Sequence, residues 1–93
     1  MSQKVEKRKY NRVAYNEKLN YSLSVLKYKV LQKVDSNGTG IDISDEGLGF
    51  YTAFPLEPGH VLRIGKESAT AQTAIVRWVD KIDENFRVGV FFV

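Results

Sequence analysis

Two short stretches of this chain carry side chains that can act together on a polar ligand. The first, Arg8-Lys9-Tyr10-Asn11-Arg12, sets two arginines four residues apart with an aromatic between them and Lys7 just ahead. A guanidinium is a planar fork that grips a phosphate or the O6/N7 edge of guanine with two bonds, and it also stacks on a base. The second, Asp42-Ile43-Ser44-Asp45-Glu46-Gly47-Leu48-Gly49, joins a polar strand end to a glycine turn. On an extended backbone Asp42 and Ser44 share a face and Ile43 takes the other. An ionised carboxylate only accepts, so Asp42 suits the N1–H and N2–H₂ edge of guanine. Ser44 and the N–H groups near Gly47 can bond to phosphate or base, and glycine tolerates close approach. The same residues also suit a plain β-turn closed by local Asx and Ser hydrogen bonds. Taken together the two stretches fit a guanine nucleotide with more than one phosphate or base.

Nothing else in the chain supports catalysis. His60 is the sole histidine and follows the Pro58-Gly59 turn, so a Ser-His-Asp arrangement has no suitable base. With one histidine and no cysteine, a tetrahedral zinc site would need mostly carboxylates, and none are suitably spaced. Asp45-Glu46 and Asp83-Glu84 are adjacent loop pairs whose side chains diverge. The expectation is a non-enzyme with no cofactor and no metal.

The charge is unevenly placed. The chain carries 14 basic and 11 acidic residues, a net of +3. Residues 1–12 hold Lys4, Lys7, Arg8, Lys9 and Arg12 against Glu6, a local +4, which leaves nine basic against ten acidic residues and a net of −1 for the rest. A short basic arm on a near-neutral body points to an anionic partner held by that arm. The body's −1 argues against a polynucleotide-binding barrel, which needs a basic stripe across its surface. The 93 residues suffice for one small domain, and 43% hydrophobic content is that of a folded one. Absence of cysteine fits a reducing compartment. No apolar stretch approaches the roughly 18 residues that span a bilayer, and the charged N-terminus lacks a signal-peptide core. The expectation is a cytoplasmic protein without membrane insertion.

The elements that must position these groups read as strands. Leu19, Tyr21, Leu23 and Val25 alternate with polar residues, and the alternation shifts phase past Leu26, which suggests a bulge or bend. A helix over 23–33 competes, but β-branched and aromatic content disfavours it. Asp35-Ser36-Asn37-Gly38 is a turn signal. Strands are then expected over Thr39 to Ser44, Leu48 to Phe54, Val61 to Ile64, Ala69 to Val79 and Phe86 to Val93. Asp80 to Asn85 reads as a polar loop, and Pro55 and Pro58 mark a turn. This pattern predicts a small antiparallel barrel or sandwich.

Arg8-Lys9-Tyr10-Asn11-Arg12 followed thirty residues later by Asp42-Ile43-Ser44-Asp45-Glu46-Gly47 resembles the PilZ domain family, whose signature is RxxxR and then [D/N]xSxxG. GLGFYTAFPLEPGHVLRI is similar to the strand–turn–strand that follows the motif, and TAIVRWVDKIDENFRVGVFF to the final hairpin with its RVxW-like and GVxF segments. The resemblance covers nearly the whole chain. It implies an all-β fold, a six-stranded antiparallel split β-barrel over 13–93 behind a flexible basic arm over 1–12. It also implies a receptor for the bacterial second messenger cyclic di-GMP. Arg8 and Arg12 match the arginines that wrap the ligand, and Asp42, Ser44 and Gly47 match the motif that lines the barrel face. Trp78 corresponds to an aromatic on a neighbouring strand that packs near the ligand, though barrel core is the plainer role for it. Lys7 occupies the position that influences whether one ligand or an intercalated pair binds; Lys9 adds charge. Many family members continue into a C-terminal helix, whereas this chain stops at Val93. The implied mechanism is an arm that orders on ligand binding and presents a surface to a downstream protein partner, in processes such as motility and biofilm control. The competing readings are an interaction module without nucleotide binding and a small single-stranded nucleic-acid-binding barrel.

Overall fold

The computed structural model describes residues 12–65 and 71–93, and every regular element among them is a strand. The strands are β1 (Val13–Ala14), β2 (Lys18–Lys27), β3 (Val30–Ile43), β4 (Gly47–Thr52), β5 (Val61–Ile64), β6 (Gln72–Ile82) and β7 (Asn85–Phe92). All pairings are antiparallel, in the order β1-β3-β2-β5-β6-β7-β4, and β4 pairs back onto β3. That last pairing closes six strands into a barrel, the architecture expected from the sequence, with β1 as one additional short strand. Closure removes the sheet edges around the ring except along the β2–β3 hairpin from Leu23 to Val34.

Alternation along each strand decides the core. Leu19, Tyr21 and Leu23 of β2 point inward, as do Leu48 and Phe50 of β4, Leu62 of β5, Val76 of β6, and Val88 and Val90 of β7. Phe50 and Leu62 are fully buried. The Tyr21 ring packs 5.5 Å from that of Phe50 at 50°, a tilted arrangement that aromatic quadrupoles favour. Thr52 is the one buried polar residue among those described, and its hydroxyl is fully used. It donates to the Asn37 carbonyl at 2.9 Å, accepts from Phe54 N–H at 3.3 Å, and lies 2.7 Å from Tyr21 Oη. Its single proton is spent on Asn37, so Tyr21 is the donor in the remaining bond.

Three local expectations are corrected. Asp35-Ser36-Asn37-Gly38 is not a turn: these residues lie inside β3, opposite Ser22, Tyr21, Asn20 and Leu19. Gly38 is needed there for close packing, because a Cβ would run into the Tyr51 carbonyl of β4. The chain instead reverses at Tyr28-Lys29, both in the left-handed region at φ 55° and 66°. The β2–β3 ladder runs from Lys18↔Thr39 to Lys27↔Val30 without a slip, so the bulge or bend expected near Leu26 is absent. The lost alternation there reflects a hairpin end with no buried face. The loop expected over Asp80 to Asn85 shrinks to Asp83-Glu84, because Asp80, Lys81 and Ile82 continue β6 opposite Arg87, Phe86 and Asn85.

The two glycine-type positions can be told apart by substitution. Gly38→Ala should cost about 1–3 kcal/mol by overpacking the β3–β4 seam. Tyr28→Asn with Lys29→Gly should add about 0.5–1 kcal/mol by relieving left-handed strain in a two-residue hairpin turn. Urea unfolding at constant m-value measures both.

Candidate functional site

The site lies on the outer wall and is built by register. Asp42 of β3 sits opposite Gly49 of β4, Gly49 opposite Gly89 of β7, and Gly89 opposite Trp78 of β6. Directly opposed residues project from the same face of a sheet. Four strands therefore contribute one transverse row, with a carboxylate at one end, an indole at the other and two glycines between. The glycines make the row a trough. A Cβ on Gly49 would lie 2.8 Å from Asp42 Oδ1, and one on Gly89 would run into the Trp78 indole. Both end groups thus lie down across the glycine next to them.

Two bulges aim those end groups. Between Gly40↔Phe50 and Asp42↔Gly49 the β3 register slips by one residue, with Ile41 as the extra one. Phe50 faces the core, so the slip turns Asp42 outward. Between Val76↔Val90 and Trp78↔Gly89 the β6 register slips likewise, with Arg77 extra. Val76 is buried, whereas Trp78 is 38% exposed. Re-aiming a side chain is the usual consequence of a bulge. Trp78 is accordingly a wall residue and not barrel core.

Arg12 precedes β1 and reaches over the trough. Its Nη2 donates to Asp42 Oδ1 at 2.7 Å, and Nη1 lies 3.4 Å from Ser44 Oγ. This is a charge-assisted contact between half-exposed groups, and it holds the guanidinium further into its protonated form, chiefly through the Asp42 hydrogen bond. Arg12 is placed by β1, whose Val13 and Ala14 pair with Ile43 and Asp42. After β1 the chain steps away and rejoins β3 through Tyr15 N–H to the Ile41 carbonyl, 2.9 Å, and Gly40 N–H to the Glu17 carbonyl, 2.8 Å. The Tyr15 ring fills the space a Gly40 side chain would need.

The turn after β3 satisfies itself. Ser44 Oγ accepts from the N–H groups of Glu46 and Gly47 at 3.2 and 3.3 Å, and Ser44 N–H donates to the Gly47 carbonyl at 2.9 Å. The N–H groups expected to meet a ligand are therefore engaged with Ser44, which is the local-turn alternative. Gly47 is required because a Cβ would meet the Val90 carbonyl.

Of the sequence candidates, Arg12, Asp42 and Ser44 converge and Trp78 joins Arg12 and Asp42 around a recess of about 240 Å³; Gly47 holds the turn. Arg8, Lys7 and Lys9 lie outside the described residues. Gly49, singled out in the sequence as part of the glycine turn, also lines the recess, and sequence reasoning missed Gly89, Arg77, Arg87 and Phe91 beside it. Arg77 lies 4.3 Å over the Phe91 ring, and Arg87 lies 5.5 Å over that of Trp78. Their signal was present but faint: Arg87, Gly89 and Phe91 alternate with core-facing Val88 and Val90. A larger notch of about 940 Å³ opens where β2 and β5 pair over only two residues, but it contains none of the motif side chains. His60 borders that notch, and its Nδ1 accepts from Glu57 N–H at 3.1 Å, closing the proline turn.

On the wall of this closed antiparallel barrel Arg12, from the first sequence motif, meets Asp42 and Ser44 of the second. The chain belongs to the PilZ domain family, whose model matches residues 6–93. PilZ domains are binding and effector modules, and the family in general comprises cyclic di-GMP receptors. No curated protein matches the chain significantly.

Gly49→Ala is the local test of the trough. The added methyl should displace the Asp42 carboxylate and release Arg12, seen as loss of the distinct Arg12 Nη and Nε resonances in NMR spectra. Because the pair is half-exposed, stability should fall by only about 0.5–1 kcal/mol.

Proposed function

We propose that this domain is a cyclic di-GMP receptor that uses Arg8, Arg12, Asp42, Ser44 and Gly47, with Trp78, Lys7 and Lys9 at the margin. The observation that carries the reading is the seating of Arg12 against Asp42 and Ser44, residues 30 and 32 positions away, at the rim of the glycine trough. Gly49 and Gly89 let the Asp42 carboxylate and the Trp78 indole lie down against the wall, which leaves room above them for a flat purine. Asp42 then accepts from a guanine edge while Trp78 offers an aromatic face. Arg12 exchanges part of its bond to Asp42 for a ligand phosphate, and Arg8 supplies a second guanidinium fork. The pocket is cationic where the phosphates fall, since Arg77 and Arg87 border it with Arg12.

Ordering the N-terminal arm costs roughly 1–2 kcal/mol per residue fixed, and charge-assisted bonds of about 1.5–3 kcal/mol each offset that cost. The balance corresponds to micromolar or somewhat tighter binding, about −8 kcal/mol. The arm folded over the ligand then forms a new surface for a partner protein, as order–disorder switches do.

Calorimetric titration with cyclic di-GMP tests the reading. The parent should bind saturably with n near one or two, and GTP should give no comparable heat. Asp42→Ala, and Arg8→Ala with Arg12→Ala, should each weaken binding roughly 10- to 100-fold, the worth of one or two lost charged bonds. No binding by the parent at ligand concentrations up to about 100 µM, far above the affinity expected, would sink it.

A further inference from the structure

The β2–β3 hairpin extends past the barrel and ends in a tip that no other described residue covers. β2 pairs with β5 only at Tyr21 and Ser22, and β3 pairs with β4 only from Gly38 onward. From Leu23 to Val34 the two strands therefore pair only with each other. The molecule is elongated accordingly, 56 Å in its longest dimension against 34 and 23 Å.

The tip exposes apolar side chains on both faces. Leu26 and Leu31 oppose each other on one face, each 70% exposed; Val30 lies on the other opposite Lys27, and Tyr28 stands at the apex, 86% exposed. A partner with one flat surface can cover one side of such a ribbon and leaves the other wet. A medium that closes around the ribbon covers all of it. The charges point the same way. Residues 18–34 contain Lys18, Lys27, Lys29 and Lys33 and no Asp or Glu, while the rest of the body beyond residue 12 carries the acidic excess. Lys27 and Lys29 flank the apex, with the Lys27 ammonium 5.8 Å from the Tyr28 ring. Lys33 sits lower, 4.0 Å from Asp35. Lysines around an apolar plug with a tyrosine at its end match the interface of an anionic bilayer. The alkyl stems and rings lie at the acyl boundary there, and the ammonium groups reach the head groups. Tyrosine favours that depth.

We propose that the tip formed by Leu26, Tyr28, Val30 and Leu31, ringed by Lys27 and Lys29, docks this domain peripherally on anionic lipid surfaces. No helix among the described residues is long and apolar enough to cross a membrane, and the contact proposed is shallow and reversible. The docking tip lies roughly 40 Å along β3 from Asp42, at about 3.3 Å per residue. The trough therefore stays accessible when the tip is bound.

Vesicle co-sedimentation of the full chain tests this. Vesicles of phosphatidylcholine containing phosphatidylglycerol should retain the protein, pure phosphatidylcholine should not, and added salt should weaken retention. Leu26→Ser with Leu31→Ser should lower the partition coefficient at least roughly tenfold. Lys27→Gln with Lys29→Gln should lower it roughly fivefold per lysine. Unchanged near-ultraviolet circular dichroism shows that each variant is folded. Because the chain has no cysteine, Tyr28→Cys carrying an environment-sensitive dye reports the tip directly, and its emission should rise only with anionic vesicles. Absence of vesicle binding, equal binding to neutral vesicles, or full retention of the hairpin variants through the basic N-terminus would each overturn the proposal.

Discussion

In a closed antiparallel barrel each side chain's direction is fixed by register, and this domain depends on two places where that register slips by one residue. Ile41 in β3 and Arg77 in β6 are the inserted residues. Without the first slip, Asp42 would share the inward face of Gly40, and a carboxylate would enter the core beside Phe50. Without the second, Trp78 would follow Val76 inward into a core already filled by Val88 and Val90. A buried unpaired carboxylate is costly, and so is an overfilled core. Both slips leave the interior apolar and send the polar and aromatic groups to the same patch of wall.

β3 ties the arrangement together. It spans 14 residues and pairs with β2, with β4 to close the ring, and with β1. Its two ends do different things. The Asp42 end, fully paired on both sides, is rigid enough to hold a carboxylate over Gly49. The Val30 end has only one partner strand and no core beneath it, so its apolar residues remain in solvent. Strands held on one edge alone have fewer contacts to lose and open more readily. The candidate site and the projecting tip thus sit at the stable and the less stable ends of one strand.

Arg12 links this scaffold to the basic N-terminal stretch. Its bond to Asp42 uses a group that a guanine would also seek, so the site as it stands is self-paired. On the proposed reading, ligand binding is an exchange of partners at Asp42. An arginine loses less solvation in such an exchange than a compact ammonium would, and it can hold phosphate and carboxylate at once.

Much of this was legible in the sequence. Alternation at Leu19, Tyr21 and Leu23, and at Phe86, Val88, Val90 and Phe92, determined strands with one buried face, and the spacing of Arg12, Asp42 and Ser44 identified groups able to converge. Local chemistry fixed those features, because period-two burial and motif spacing do not depend on distant partners. The turn was misread for the opposite reason. Asp-Ser-Asn-Gly favours reversal locally, but the unbroken β2 ladder along all four residues and the β4 pairing that begins at Gly38, with Tyr51 close against it, outweigh that preference. The real reversal uses Tyr28 and Lys29, which carry no turn signal. The trough was also decided only in three dimensions. Gly49 and Gly89 lie forty residues apart in the chain and become neighbours through the β4–β7 register. A one-residue bulge, invisible in a string of letters, determines whether Asp42 and Trp78 face the core or the outer wall.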